Sequence, residues 1–477
     1  MKKKKGWHHN NAFYFIYLHQ SRVEHYGTEQ SPMTEVMDSP PPYRTEKKEE
    51  MITSSYAEAS TSTSGYYLNA DARKQLSAYE YKGADLSLLY QYILSPSAQF
   101  LVDTVIPETM APNTVTLIGL VWMITSYSIY WYYTLGIINN GDGGDGGGDE
   151  LLESSSLPPR WIFLFNALSL IFYQTLDNMD GKQARRTQSS SPLGLLFDHG
   201  CDAINSTLGS ANVIIGMNLT SRENTFEIWL LIFGPFIMFY IATWEQYYTG
   251  ELIMPIINGP SEGVIGTALL SFVSYWFGSQ YWQESDWFTS FQSMFPSLDV
   301  VTNGVQLKNC DFIVIFVALG IFQEIILKSI AVAQKYKRSL SDLIPVLALS
   351  FSYLIIGWAD PEVLFSIPRT SMHLAMILFA EMSTELMLAH VTAQPFNPWR
   401  WQLYPLICLT IWVVVFGRSE LLQYSFTGYM WSMGAYLAMK CAYVIHEICD
   451  ALEIWCFDIV TPYSKAPKSN IMNRKLA

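Results

Sequence analysis

Charge is what this 477-residue chain has least of. Only 15% of its residues are charged, while 50% are hydrophobic and 15% aromatic. An ordinary globular protein carries about 25% charged residues. The shortage is sharper than the totals suggest, because the first 80 residues hold a large share of the charge. Clusters of Lys and Arg interleaved with aromatics are missing, which excludes a nucleic-acid-binding face. The net charge of −13 is spread along the chain, with four of the acids in one glycine-acid loop, so it points to no partner. The six cysteines (Cys201, Cys310, Cys408, Cys441, Cys449, Cys456) lack metal-site spacing and are expected as free thiols among helices. A secretory leader is not expected either. "MKKKK" precedes the apolar "NAFYFIYL", but that run is short and no small-residue cleavage site follows it.

What the chain has instead is long apolar runs. A helix needs roughly 20 predominantly apolar residues to cross a bilayer. About ten such runs recur, near 112–135, 160–177, 193–217, 227–245, 262–279, 310–331, 342–359, 364–389, 403–417 and 426–448. The expected fold class is all-α, a polytopic membrane protein preceded by an interfacial amphipathic helix. That helix is read from "DLSLLYQYIL" (85–94), where Leu86, Leu89, Tyr90 and Ile93 recur at helical spacing behind Asp85 as N-cap. Residues 1–80, rich in Ser, Thr, Glu and Lys with prolines at 40–42, are expected to be a disordered cytosolic region.

Lys and Arg in the short loops set the orientation. Lys182, Arg185, Arg186, Lys335, Lys337, Arg338 and Arg400 share one side with the basic tail, and this side is expected in the cytosol. "GDGGDGGGDE" (141–150) then lies in a lumenal loop. Glycine fills the positions where a calcium loop needs ligands, so it reads as a flexible connector.

The remaining charge concentrates in "LDNMDGKQARRTQSSSPLGLLFDHGCD" (176–202). Asp177 and Asp180 are three residues apart, and Asp198 and Asp202 are four apart, so each pair shares one helix face. The first pair is expected to end one span and the second to begin the next, so that antiparallel neighbours aim four carboxylates at one point. An acid in a span costs about 2.5–3.5 kcal/mol at the helix centre. Four mutually repelling carboxylates need compensation, which one or two divalent cations supply, and an all-oxygen site suits Mg²⁺ or Mn²⁺. Gly181 and Ala184 expose backbone for close approach, and Arg185 offers a planar fork to phosphate. Together these describe a diphosphate pocket.

The spacing D-x2-D-G-x2-A-R-x8-G-x3-D-x3-D resembles the signature of the CDP-alcohol phosphotransferase family, with every fixed letter present from Asp177 to Asp202. "YKGADLSLLYQYILSP" (81–96), "MAPNTVTLIGL" (110–120), "FDHGCD" (197–202), "WEQYYTG" (244–250) and "NGPSEG" (258–263) resemble its eukaryotic cholinephosphotransferase and ethanolaminephosphotransferase branch. The resemblance covers about residues 80–450 and is sharpest over 81–263. It implies a catalytic region at 81–263, further membrane helices at 264–450 for lipid access and dimer packing, and a cytosolic tail at 451–477.

The resemblance also implies roles. Two metal ions would be held by Asp177, Asp180 and Asp198, with Asp202 a ligand, the general base, or both. Asn113, Gly181, Ala184 and Arg185 would line the CMP and phosphate site. The substrates would be CDP-choline or CDP-ethanolamine and diacylglycerol, and the products phosphatidylcholine or phosphatidylethanolamine and CMP. A homodimer in the endoplasmic reticulum or Golgi membrane, with its site facing the cytosol, is the expected setting. His199 competes with Asp202 as base, since a free imidazole titrates near 6.5. Glu245 and Glu262 are candidate head-group contacts beside Trp244 and Tyr247. Glu324, His373, Glu381 and Glu385 are expected in inter-helix bonding or at the dimer interface.

Two other classes also place acids in membrane helices. Intramembrane prenyltransferases show two separated Asp-rich motifs, whereas all four aspartates here fall within one short stretch. A cation transporter expects acids in broken helices at mid-membrane, and has no need of Gly181, Ala184 and Arg185 at these offsets.

Overall fold

Each apolar run folds as a helix, because a helix satisfies its own backbone where water is absent. The computed structural model describes residues 65–139, 158–220, 224–294, 306–336 and 340–463. The glycine-acid loop and residues 1–64 lie outside the described residues. In chain order the helices are α1 (Ala70–Ser77), α2 (Ser95–Thr104), α3 (Pro112–Asn139), α4 (Trp161–Arg186), α5 (Pro192–Gly216), α6 (Thr225–Thr249) and α7 (Val264–Phe277). There follow α8 (Asp286–Met294), α9 (Asn309–Tyr336), α10 (Ile344–Ala359), α11 (Pro361–Phe365), α12 (Pro368–Val391), α13 (Tyr404–Phe416) and α14 (Glu420–Leu452).

Five segments are long and apolar enough by themselves to cross a membrane: Pro112–Thr134, Thr225–Thr249, Asn309–Ile330, Leu340–Ala359 and Pro368–Val391. The others carry acids (α4, α5, α14) or are short (α7, α13). The protein is a multi-pass, all-α membrane protein.

Helices α3, α4, α5 and α7 pack as one group around Met123, Tyr127, Leu170, Leu208 and Ala268. A buried polar knot sets their register: Asn166 Oδ1 accepts from Ser126 Oγ (3.0 Å) and Asn212 Nδ2 (2.6 Å), and Asn166 Nδ2 donates to Ser271 Oγ (2.8 Å). A second group, α6, α10, α12, α13 and α14, forms a larger apolar core, with Phe236 and Phe379 stacked 4.0 Å apart. Helix α12 joins the two groups by packing on α5.

The expected inter-helix bonding is present. Glu381 on α12 accepts from Arg400 (2.5 Å), Lys440 on α14 (2.7 Å) and Gln402 (2.9 Å), and Glu385 pairs with the same two cations. Two acids and two bases thus make a neutral buried set. His373 bonds Tyr127 across to α3 at 3.0 Å, whereas Glu324 lies 3.8 Å from Lys328 on its own helix, α9.

Residues 65–80, part of the region expected to be disordered, are ordered. Helix α1 and the segment before it bury Ala72, Leu76 and Leu68 against α14, and the Glu447 carboxylate accepts the backbone N–H groups of Tyr66, Tyr67 and Leu68 at 2.6–3.2 Å. The apolar spacing of this short helix was too brief to stand out in a polar segment.

The segment expected as a surface helix is helical from residue 88, passes through a π-turn at Tyr90–Leu94 and continues as α2. Leu88, Tyr92, Ile93 and Phe100 are exposed along it, as an interfacial helix requires. Its cap is not Asp85. Asp85 lies in strand β1 (Gly83–Asp85), paired in parallel with β2 (Leu252–Met254), and Ser87 Oγ accepts from Tyr90 N instead at 2.9 Å. Strand β2 follows directly because Gly250 ends α6 at φ +79°.

Candidate active site

Helix α4 does not stop where its apolar run stops. It continues through the charged stretch to Arg186, so Asp177 and Asp180 sit inside a helix rather than at its end. Partners on α2 and the chain after it support the extension. Lys182 Nζ donates to Ser95 Oγ (2.8 Å), Gln183 Nε2 to Pro107 O (3.0 Å) and Met110 O (2.8 Å), and Arg186 to Val102 O and Ile106 O. Arg186 thereby satisfies carbonyls that the end of α2 leaves open. After a five-residue connection, Ser191 caps α5 by accepting from Gly194 N at 3.2 Å, and Asp198 and Asp202 follow on its first turns.

The two helices bring these acids together. Asp177, Asp198 and Asp202 offer oxygens that all lie within 4.8 Å of one another. Asp177 faces Asp202, and Asp180 faces Asp198. Asp180 is held from α3, where Thr116 Oγ1 donates to its Oδ2 at 2.5 Å. Asp202 accepts from the Tyr173 hydroxyl, one turn before Asp177 on α4. Asp198 Oδ1 is buried with no hydrogen-bond partner. Buried carboxylate oxygens without donors are costly, and an all-oxygen donor set of this kind fits a hard divalent cation. The residues therefore fit a metal ion.

Beside the acids, Gly181 and Ala184 are half-buried and Arg185 is exposed. The Arg185 guanidinium has no hydrogen bond or ion pair among the described residues. A methyl group at Gly181 would meet nothing nearer than that guanidinium, at 3.7 Å. The chain's own packing therefore does not demand glycine there, although glycine within a helix costs about 1 kcal/mol relative to alanine.

Asn113, at the start of α3, lies near Gly194, and its amide donates to Cys456 O at 2.9 Å in the chain after α14. Phe457 in that segment packs on Phe197. His199 is buried against Phe239 of α6, and its Nδ1 has no partner.

Glu245 and Glu262 are not gathered into this set. Glu245 pairs with Lys328 of α9. Glu262 accepts from Ser87 Oγ (2.5 Å) and Asn258 N (2.9 Å). Trp244 is fully buried in the core, and the Tyr247 hydroxyl donates to Gln394 O at 3.0 Å. Thr116 and Tyr173 went unnoticed in the sequence. Tyr173 stands four residues before Asp177 on the acidic face, a spacing that could have found it. Thr116 carried no such signal.

The family model for CDP-alcohol phosphatidyltransferase matches residues 109–289, the stretch that holds all four aspartates. A class-I family protein of that name from Dictyostelium discoideum, itself uncharacterized, is 30% identical over 417 residues, covering 82% of this chain and 98% of the relative. The chain belongs to the CDP-alcohol phosphatidyltransferase family. It is an enzyme of the CDP-alcohol phosphotransferase kind. Two relatives carry more specific names. Choline/ethanolaminephosphotransferase 1 of Arabidopsis thaliana is 29% identical over 82% of this chain and 98% of its own length. Its namesake from Saccharomyces cerevisiae is 27% identical over 83% of this chain and 98% of its own length. The matches to these relatives extend well beyond the residues the family model covers.

Proposed function

We propose that this enzyme transfers phosphocholine or phosphoethanolamine from the CDP-alcohol to the hydroxyl of diacylglycerol, releasing CMP. The observation that carries the reading is the convergence of three carboxylates from α4 and α5 within 4.8 Å, beside an unpartnered Arg185 and a glycine that packing does not require. The names of the plant and yeast relatives support the choice of head group.

Asp177, Asp180, Asp198 and Asp202 would hold two divalent ions, Mg²⁺ or Mn²⁺, which neutralise charge on the transferring phosphoryl group and on the departing CMP. Arg185 binds the diphosphate as a planar fork. Gly181 and Ala184 let the nucleotide reach the helix backbone. The lipid hydroxyl oxygen attacks the phosphorus that bears the alcohol, and the bond from that phosphorus to the CMP oxygen breaks. His199 takes the hydroxyl proton. It stands three residues before Asp202 on the flank of the acidic face, and its buried Nδ1 has no partner. Asp202 already accepts from Tyr173 and belongs to the carboxylate set, so it holds and orients. The basic loop after α4 supports a site on the cytosolic side, in keeping with an endoplasmic reticulum or Golgi membrane.

Purified protein given diacylglycerol and an equimolar mixture of both CDP-alcohols should release CMP and form the corresponding phospholipids in the ratio of its preferences. Absence of CMP release with either donor overturns the reading. His199→Ala should lose turnover while CDP-alcohol binding survives, and wild-type turnover in that variant removes His199 from the mechanism.

A further inference from the structure

The chain that leaves α14 turns back on itself. Glu453 ends the helix at φ +57°, a conformation usually left to glycine. Beyond it, Asp458 accepts from Val460 N (2.8 Å) and Thr461 N (3.0 Å). The rings of Trp455 and Tyr463 lie 4.8 Å apart, and the Tyr463 hydroxyl donates to Asp450 of α14. This strap, residues 453–463, touches the candidate site at two points. Cys456 O accepts from Asn113 Nδ2 at 2.9 Å, and the Cys456 thiol lies 3.5 Å from the same nitrogen. Phe457, half-exposed, sets its ring against Phe197 with 5.5 Å between centroids, and Phe197 immediately precedes Asp198.

Asn113 belongs to the acid site by position. It stands one turn before Thr116, the donor to Asp180, and its Oδ1 lies 3.5 Å from where a methyl group at Gly194 would be, one turn before Asp198 on α5. The side chain is only 8% exposed, and its Oδ1 has no hydrogen-bond donor among the described residues. Turning the amide over would set that oxygen against the Cys456 carbonyl, two acceptors facing each other. The strap therefore leaves a buried acceptor pointing one way, toward Gly194. We propose that the strap is part of the nucleotide site, Cys456 and Phe457 holding the Asn113 carboxamide oxygen toward the CMP moiety of the donor substrate. This deepens the reading of the site given above and rests on it. Cys456 and Phe457 are positioning residues, acting through Asn113.

The test uses full-length protein, with CMP release and binding of labelled CDP-choline measured side by side. Phe457→Ala removes the ring that seats the strap on Phe197. It should raise KM for the CDP-alcohol about three- to tenfold, the worth of one oriented hydrogen bond, with kcat little changed and KM for diacylglycerol unchanged. Phe457→Tyr keeps the ring and should keep the wild-type KM. In an Asn113→Ala background, Phe457→Ala should have no further effect, since it acts through that amide. A second measurement needs no variant: CMP alone should slow alkylation of Cys456 severalfold, read by mass spectrometry, while diacylglycerol alone should not. Wild-type KM in Phe457→Ala, an undiminished effect of Phe457→Ala in the Asn113→Ala background, or alkylation of Cys456 that ignores saturating CMP overturns the proposal. If the wild type binds CDP-choline but releases no CMP, the transfer reading fails, while weaker binding by Phe457→Ala and protection of Cys456 by CMP still uphold the strap. If the wild type binds none, both fall.

Discussion

Thr116 on α3 donates to Asp180 on α4 over 2.5 Å, tying the one motif aspartate outside the 4.8 Å trio to a helix that has no acid of its own. The bond fixes which way Asp180 points and removes one of its lone pairs from competition. Thr116→Val should therefore weaken divalent-ion dependence by about 10- to 100-fold, the usual range for a partner that orients a ligand. Thr116→Ser should restore it. The check is the Mg²⁺ and Mn²⁺ concentration dependence of CMP release.

Ion removal should be visible without any turnover. Four carboxylates crowd together and Asp198 Oδ1 has no donor, so the ion-free protein carries uncompensated repulsion. Saturation at a hundredfold above Kd stabilises a protein by about 2.7 kcal/mol, so Mg²⁺ or Mn²⁺ should raise the unfolding temperature and a chelator should lower it. Asp198→Asn should lose most of that rise, yet be at least as stable as wild type in chelator. Its activity should drop about a hundredfold or more, as loss of several kcal/mol of charge stabilisation requires.

The buried set of Glu381, Glu385, Arg400 and Lys440 is neutral, and removing one member leaves a charge without its partner. Glu381→Gln should cost about 3–5 kcal/mol of stability. Unfolding temperature in detergent would report it, and the protein that remains folded should keep its KM for CDP-alcohol.

Glu447 anchors the segment before α1 through backbone N–H groups of Tyr66, Tyr67 and Leu68. Glu447→Ala leaves those donors unanswered and removes a charge-assisted clamp worth about 1–3 kcal/mol. Limited proteolysis should then cut within residues 65–80 at protease levels that leave wild type intact, while transmembrane fragments stay protected.

Much of the architecture was legible because apolar length and the spacing of the aspartates are properties of the chain alone. Every expected apolar run lies on a helix, and Asp177 of α4 meets the i, i+4 pair Asp198 and Asp202 of α5. The misreadings share a cause. Residues 65–80 and the charged end of α4 are ordered by partners remote in sequence, Glu447 for the first and the α2 carbonyls for the second. Of the candidate head-group contacts, Glu262 accepts from Ser87 and Asn258, and Glu245 pairs with Lys328 on α9, partners that linear spacing does not reveal.

The sequence by itself determined the class of protein and the chemistry of its centre. Burying so many apolar residues needs a membrane, and four acids at that spacing fit a divalent cation. Only the tertiary structure decided which neighbours orient those acids and which ionisable groups are already spent on one another. Hydrogen bonds such as Thr116 to Asp180, Tyr173 to Asp202 and Arg186 to the end of α2 depend on how helices are placed in space, and linear spacing does not encode that placement.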